Sequence, residues 1–239
     1  MIKNQLLKFQ KGNAKLDKSI HTFSLPAGHS CPFAFECKAS ADRKTGKISD
    51  GADQKFRCFS ASAEAVYPNV RQARWHNYDL LRDLKTKKAM MNLIQSSLPE
   101  KAMKFRVHVS GDFFNQMYFD AWMDVARANP KKLFYAYTKS LVYWVKRMDD
   151  IPKNFKLTSS MGGKKDTLIE AHHLKYAQVV FDEGEAKVMG MDIDHDDSHA
   201  FGKSKSFALL LHGGQAAGTK ASVALSALKK KGIGGYSKK

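Results

Sequence analysis

FRVHVSGDFFNQMYFDAWMDVARANP, residues 105–130, contains the unit from which the fold is predicted. Its first five residues alternate between apolar side chains and others, which is typical of a short strand, and the small polar stretch SGD closes it. The next fifteen residues place apolar side chains at helical spacing, and the Asn129-Pro130 pair ends that helix. The stretch therefore predicts a strand, a polar turn and a helix in succession.

The same unit recurs along the chain. Further strand-like runs occupy residues 19–25, 133–137, 155–160, 177–181 and 206–212, and most have a helical pattern behind them. Strands that alternate with helices imply parallel pairing through right-handed crossovers. The pattern predicts an α/β fold with parallel strands, and an open doubly wound sheet and a partial barrel both fit it. A long amphipathic segment over residues 70–98 is also predicted.

Polar and small residues follow the predicted strands at the ends where both architectures bind ligands. Asp112 either receives a ligand amine or caps the next helix, and Lys139 is placed to neutralise a carboxylate or phosphate. Glycine-rich backbone near His212 is suited to cradling an anion. No catalytic residue is identified. The candidate ligand-binding residues are Ser110, Gly111, Asp112, Lys139, Ser159, His212 and Gln215.

All three cysteines, Cys31, Cys37 and Cys58, fall in the long loop of residues 26–70 after the first predicted strand. They are interpreted as ordinary buried thiols, as a zinc site completed by His29 or another histidine, or as three ligands of an iron–sulfur cluster. Their spacing leaves these alternatives open. Residues 192–201 offer His195 or His199 as a further cluster ligand, although a mobile, solvated loop is the favoured interpretation there.

Composition sets limits on partners and compartment. The 239 residues carry a net charge of +17, with lysines concentrated at both ends, which favours nucleic acid or another polyanion as a partner. No apolar run is long enough to span a membrane, and three cysteines without a signal peptide favour a reducing cytoplasm. The predicted division is a basic segment at 1–18, one α/β domain at 19–235 and a basic tail at 236–239.

Several blocks resemble a known family, among them FSLPAGHSCP, FYAYTKS and FALLLHGGQAAGTKAS. They are similar to the bacteriophage "gene product eighty-eight" family, whose members are uncharacterised. A more remote similarity leads to the radical S-adenosylmethionine enzymes, which build a six-unit partial barrel and carry three cluster cysteines after the first strand. The cysteine gaps here, five and twenty residues, differ from the three and two typical of those enzymes, and Ser110-Gly111-Asp112 stands where they carry a Gly-Gly-Glu-Pro-like turn.

The resemblance implies an α/β fold built as a parallel (βα)6 partial barrel. It also implies one [4Fe-4S] cluster on Cys31, Cys37 and Cys58, with an open iron for a small-molecule ligand. We expect a phage-encoded iron–sulfur protein in the host cytoplasm. The hypothesis for its activity is a radical or reductive enzyme, with S-adenosylmethionine as a candidate cofactor. The alternative is a zinc-stapled, basic nucleic-acid-binding protein of phage DNA or RNA metabolism. An electron carrier is a third interpretation, disfavoured because carriers usually close the cluster with four protein ligands.

Overall fold

A computed structural model describes residues 5–12, 16–202 and 205–233. The predicted basic tail at 236–239 lies outside these ranges, as do residues 1–4 and 13–15 of the predicted N-terminal segment. A helix long and apolar enough to cross a bilayer is absent from the described ranges.

A seven-stranded sheet runs through the molecule in the order β1-β2-β5-β6-β7-β8-β9. All pairs from β2 to β9 are parallel, and only β1 joins antiparallel. Because the parallel strands follow chain order without a reversal, the sheet is not doubly wound. The predicted strands and the parallel α/β class are confirmed. The strands are β1 Gln10–Lys11, β2 Ile20–Ser24, β3 Ala39–Ala41, β4 Ile48–Asp50, β5 Lys104–Ser110, β6 Leu133–Thr138, β7 Phe155–Ser160, β8 Tyr176–Val180 and β9 Phe207–Leu210.

Nine α-helices connect and cover these strands within the described ranges. The predicted amphipathic segment 70–98 is two helices, because Thr86 starts a new helix by accepting a hydrogen bond from the Ala89 amide. The loop after β2 also contains structure of its own, a β3–β4 hairpin and the helix α1. The helices are α1 Phe59–Val66, α2 Pro68–Arg82, α3 Lys87–Ser97, α4 Gln116–Ala128, α5 Leu141–Val145, α6 Thr167–Ala171, α7 Glu183–Val188, α8 Ser198–Gly202 and α9 Lys220–Lys230, with a 3-10 turn at Met148–Asp150.

The outer face of the sheet packs against α3 and α4. Phe105 and Phe134 stack on neighbouring strands with ring centroids 5.1 Å apart, and Trp122 of α4 lies 6.2 Å from Phe134. Ile94 of α3 is fully buried in the same cluster. Burial of this face accounts for the apolar alternation in FRVHV, since its phenylalanine and first valine point into this core.

The inner face of the sheet is covered by the segment that was expected to be a solvated loop. Asp194 and Asp197 are 3% and 0% exposed, and α8 behind them packs on β6 and β7. Phe201 of α8 lies 5.1 Å from Tyr135 of β6. The expectation of a mobile loop at 192–201 is wrong, because Arg106 on the inner face forms a 2.6 Å ion pair with Asp197.

Candidate functional site

A cavity of about 150 Å³ opens where the long loop after β2 crosses the carboxyl ends of the strands. Cys31, Cys37 and Cys58 all line it, although 27 positions separate the first from the last in the chain. Cys58 lies directly before α1, and its carbonyl oxygen accepts the amides of Ala61 and Ser62 at 3.1 and 3.2 Å. The loop and the helix that follows it therefore bring the three thiols to one cavity.

The three thiols are near enough to influence one another electrostatically. Burial raises the pKa of Cys31 well above its usual value, and Asp112, Cys58 and Cys37 raise it further. Burial also raises the pKa of Cys58 to about 11, with a further contribution from Cys37. Without a bound cation, Cys31 and Cys58 are consequently protonated at neutral pH.

The cysteines do not converge on a single point. Across residues 5–12, 16–202 and 205–233, no three His, Cys, Asp or Glu side chains come together tightly enough to hold one metal ion. His29, the residue that the zinc interpretation uses as a fourth ligand, bonds the Ala41 carbonyl at 3.1 Å and is outside the cavity lining. His199 lies 3.5 Å from Asp194 and is likewise outside the lining, and His195 is exposed.

Asp112 is buried in the cavity wall just beyond β5. Its carboxylate accepts three hydrogen bonds, from the Thr138 hydroxyl at 2.6 Å and from the amides of Phe113 and Lys139 at 2.7 and 2.8 Å. Burial raises the pKa of Asp112, while these bonds and the Lys139 ammonium oppose that rise. The next helix is capped instead by Asn115, which accepts the Tyr118 amide at 2.8 Å. Asp112 therefore ties the ends of β5 and β6 together and is not the helix cap.

The neighbours of Asp112 allow the loop after β2 to approach closely. Gly111 has φ +82°, and a Cβ there would lie 2.5 Å from the Ser30 hydroxyl and 2.6 Å from the Leu25 Cβ. The Ser110 hydroxyl donates to the Glu64 carboxylate at 3.2 Å. Ser110 and Gly111 thus line the cavity and also dock the cysteine loop on β5.

Lys139 extends along the end of β7. Its ammonium donates to the carbonyl and hydroxyl oxygens of Ser160, both at 2.9 Å, and to the Met161 carbonyl. Lys139 and Ser160 both line the cavity. Ser159, the residue predicted from the sequence, is buried outside the lining, because neighbouring residues of a strand point to opposite faces.

His212 and Gln215 have different places at the end of β9. His212 lines the cavity, and its ring lies 4.5 Å from the Phe59 ring. Gln215 is outside the lining, and its side-chain amide instead holds the backbone of Arg57, accepting its amide at 2.8 Å and donating to its carbonyl at 3.2 Å. Gln215 therefore fixes the residue directly before Cys58.

Glu64 of α1 was not identified from the sequence. It is fully buried, and one carboxylate oxygen accepts the Ala27 amide at 2.9 Å, the Arg74 guanidinium at 2.7 Å and the Ser110 hydroxyl. The neighbouring Arg71 donates to the carbonyl oxygens of Arg43, Lys44 and Glu64, so it holds the loop after β2 against α1 and α2. The glutamate itself is inconspicuous in the small-residue run SASAEAV.

A bulge in β5 also shapes the site. Thr22 pairs with Arg106 and Ser24 pairs with Ser110, so an advance of two residues along β2 corresponds to an advance of four residues along β5. His108, within the bulge, has φ +68°, an uncommon conformation for a residue other than glycine. Its side chain is buried and bonds the Tyr118 hydroxyl at 3.0 Å, and burial lowers the pKa of His108 to about 3. The bulge shifts the register of Ser110 and Asp112 relative to β2.

Comparisons with known proteins place this chain among phage proteins. A family model described as Gene product 88 matches residues 3–229. A 90-residue stretch is 34% identical to the Gene 88 protein of Mycobacterium phage L5 and 33% identical to that of Mycobacterium phage D29. Each alignment covers 34% of this chain and 38% of the relative, so the chain spans under two fifths of the length of these relatives. No solved structure matches the chain.

Proposed function

We propose that this chain, which belongs to the Gene product 88 family, binds one [4Fe-4S] cluster through Cys31, Cys37 and Cys58. The observation that carries the proposal is the meeting of all three cysteines at one cavity on the carboxyl-terminal side of a parallel sheet. That side of such sheets is where ligands bind. Three thiolates would leave one iron open to a small molecule, and this open position supports substrate activation over simple electron transfer.

The donor set fits a cluster better than a single ion. A tetrahedral zinc with bonds of about 2.3 Å needs its sulfur ligands within about 4 Å of one another. No such convergence exists in the described part of the chain. In a cubane cluster each thiolate binds a different iron, so the sulfur atoms stand farther apart around a larger centre. Thiols that share one cavity without converging on a point are consistent with that arrangement.

The more specific part of the proposal is that the chain forms a partial barrel and catalyses a radical or reductive reaction, with S-adenosylmethionine as a candidate cofactor. Chain-order pairing of six parallel strands supports a singly wound barrel. Asp112 and Lys139 support a small charged ligand, because both are buried in the cavity wall beside the cysteines. In this proposal these two side chains hold and orient the ligand, while the loop after β2 excludes bulk water.

Anaerobic purification followed by iron, sulfide and zinc analysis tests the proposal. We expect brown protein with broad absorption near ~400 nm and about four irons and four sulfides per chain. Substituting each cysteine with alanine in turn should abolish the absorption. The matched control is Ser159→Ala, which removes a buried hydroxyl outside the cavity and should leave the iron content unchanged. Full iron content in all three cysteine variants would overturn the proposal.

The second candidate function is nucleic-acid binding by a zinc-stapled protein, favoured by the net charge of +17. Binding of this kind releases condensed counterions, so the affinity for duplex DNA should fall steeply with salt. Colourless protein with about one zinc per chain, together with a drop in DNA affinity of about a thousandfold between 50 and 200 mM salt, would favour this candidate. An affinity that is insensitive to salt would exclude it.

A further inference from the structure

The amino ends of the parallel strands carry a row of lysines. Each of these strands, β2 and β5 to β9, has at least one lysine within two residues of its first residue. In the described chain, no aspartate or glutamate falls within the same distance of these strand starts. We call this set the lysine rim, and its members are Lys18, Lys104, Lys131, Lys132, Lys153, Lys156, Lys175 and Lys205.

The two ends of the sheet differ in charge. Within two residues of the carboxyl ends of the same strands, the described chain has one lysine, Lys139, which is buried in the cavity wall. The strands from β2 to β9 are parallel, so their amino ends share one edge of the sheet and their carboxyl ends the opposite edge. The lysine rim therefore lies at the opposite end of the sheet from the cysteine cavity.

Most of the lysine rim is exposed and not neutralised. Its exposed members are Lys18, Lys104, Lys131, Lys153, Lys156 and Lys205. Across residues 5–12, 16–202 and 205–233, none of these six forms an ion pair with a carboxylate. Glu100, Asp149 and Glu170 are exposed in the segments before three of the strands, yet they too are outside every ion pair of the described ranges. A row of uncompensated cations favours a polyanionic partner, which releases its condensed counterions on binding.

The two half-buried members of the lysine rim keep their charge. The Lys132 ammonium donates to two backbone carbonyls of the turn before β5, at 2.7 and 2.6 Å. The Lys175 ammonium donates to two carbonyls of α8, at 2.6 and 2.9 Å. Burial lowers the pKa of Lys175 to about 8, Asp194 opposes this effect, and the nearby Lys156 lowers the pKa further. Carbonyl oxygens carry no net charge, so these contacts position the cations without neutralising them.

The spacing of the lysine rim suits the phosphate rows of a duplex. Neighbouring strands lie about 4.8 Å apart, so lysines two or three strands apart are separated by roughly 10–14 Å. The major groove of B-DNA is about 12 Å wide, which is the distance between the phosphate rows that border it. Single-strand binders also need aromatic side chains on which bases stack. The exposed aromatic residues of the described chain, Phe35 and Tyr67, lie in the loop after β2 and between α1 and α2, away from the strand starts.

We propose that the lysine rim binds the phosphate backbone of duplex DNA without reading its sequence. Lysine contacts to phosphates position a protein on DNA, whereas sequence is read by groups that reach the base edges. The inference does not depend on which metal the cysteines bind, because the lysine rim and the cysteine cavity lie at opposite ends of the sheet. It assigns DNA to one surface of the folded domain and not to the lysine-rich chain ends.

The test measures fluorescence anisotropy of a labelled duplex of about 20 base pairs, two helical turns, titrated with the full chain. If the six exposed lysines each contact a phosphate, the logarithm of the affinity should fall with the logarithm of the salt concentration with a slope of about −5. Between 50 and 200 mM salt the affinity should then fall about a thousandfold. A single strand of the same sequence should bind more weakly than the duplex.

Two triple variants of equal charge locate the contact. The rim variant combines Lys131→Gln, Lys153→Gln and Lys156→Gln at the starts of β6 and β7, and its salt slope should be shallower by about three. The control combines Lys164→Gln, Lys165→Gln and Lys187→Gln, exposed positions that follow the carboxyl ends of β7 and β8, and it should keep the wild-type slope. All six side chains are exposed, and thermal unfolding verifies that both variants are folded.

The outcomes separate this inference from the proposed function. Equal slopes in the two variants would place the contact elsewhere and overturn the inference, as would tighter binding of the single strand. Displacement of the duplex by polyglutamate at equal charge would identify an acidic protein as the partner and also overturn it. Cys58→Ala should bind DNA like the wild type, and a loss of DNA binding together with iron would assign DNA to the cysteine end. The expected slopes in protein that never takes up iron would support the inference and contradict only the cluster.

Discussion

Replacing Glu64 with alanine should destabilise the protein more than any surface substitution, although Glu64 is outside the cavity lining. The carboxylate is 0% exposed and accepts hydrogen bonds from Ala27, Arg74 and Ser110, so its loss leaves three donors without their acceptor. Arg74 is itself only 8% exposed, and removing one partner of a buried ion pair costs about 3–5 kcal/mol. For a chain of this length that corresponds to a fall in melting temperature of about 10 °C.

Scanning calorimetry or thermal circular dichroism measures this effect, with Glu170→Ala as the matched control because Glu170 is exposed on a short helix. Glu64→Gln should cost less than Glu64→Ala, since it retains an acceptor and loses only the charge. Adding Arg74→Met to Glu64→Ala should recover about 2 kcal/mol, because it removes the unpaired buried cation. A melting temperature for Glu64→Ala within about 2 °C of the wild type would refute the assignment of Glu64 as the residue that docks the cysteine loop.

Three further predictions concern the frame of the site. Gly111→Ala should destabilise the fold by about 3 kcal/mol, because its φ is positive and a Cβ would lie close to Ser30 and Leu25. The control Gly190→Ala, at φ +64° with open space around it, should cost only about 1 kcal/mol. Equal effects of the two substitutions in urea unfolding would refute the close approach at Gly111. The buried His108, with a pKa of about 3, binds fewer protons in the folded protein than an unfolded histidine does, so its contribution is complete above pH ~6.5 and is lost as the pH falls toward 3. Unfolding free energies should therefore fall by about 2 kcal/mol more in the wild type than in His108→Asn between pH 7 and pH 5, and parallel pH profiles would exclude this role. Asn115→Ala removes the cap of α4 and should lower the unfolding free energy by about 1 kcal/mol. The melting temperature should then fall by a few degrees. An unchanged melting temperature would show that the cap is dispensable.

The strands and the location of the cysteines were predictable because both are recorded locally in the sequence. The alternation in FRVHV and the small polar residues that follow it identify a strand and its end without knowledge of the remaining chain. Chain-order pairing is the common outcome because consecutive strands usually lie next to each other. The cysteine loop leaves β2 at the same end of the sheet as the other polar turns, so its position over the cavity could also be predicted from the sequence. Bonding of one metal centre by the three cysteines remains a prediction.

The polar partners within the site were not predictable, because they join residues far apart in the chain. Arg106 and Asp197 are separated by 91 positions, and an acidic run such as DIDHDD has the composition of a solvated loop until its partner is known. Glu64 shows the same difficulty, since its donors come from the loop after β2, from α2 and from β5. The bulge at His108 was hidden for a different reason, since a backbone irregularity leaves little trace in a pattern of apolar residues.

The protein orders the cysteine loop through its own contacts, and this determines how metal binding relates to folding. Gln215 holds Arg57 from 158 positions away, and the Ser62 hydroxyl donates to the Gly214 carbonyl at 2.7 Å. On the other side of the loop, the Glu36 amide donates to the Gly162 carbonyl at 3.0 Å. A loop tied to β7 and β9 in this way does not need a metal to take its shape, unlike a small domain that folds only on binding zinc. Metal-free protein should therefore remain folded, and a cysteine variant that lacks iron would report on ligation itself and not on the collapse of the site.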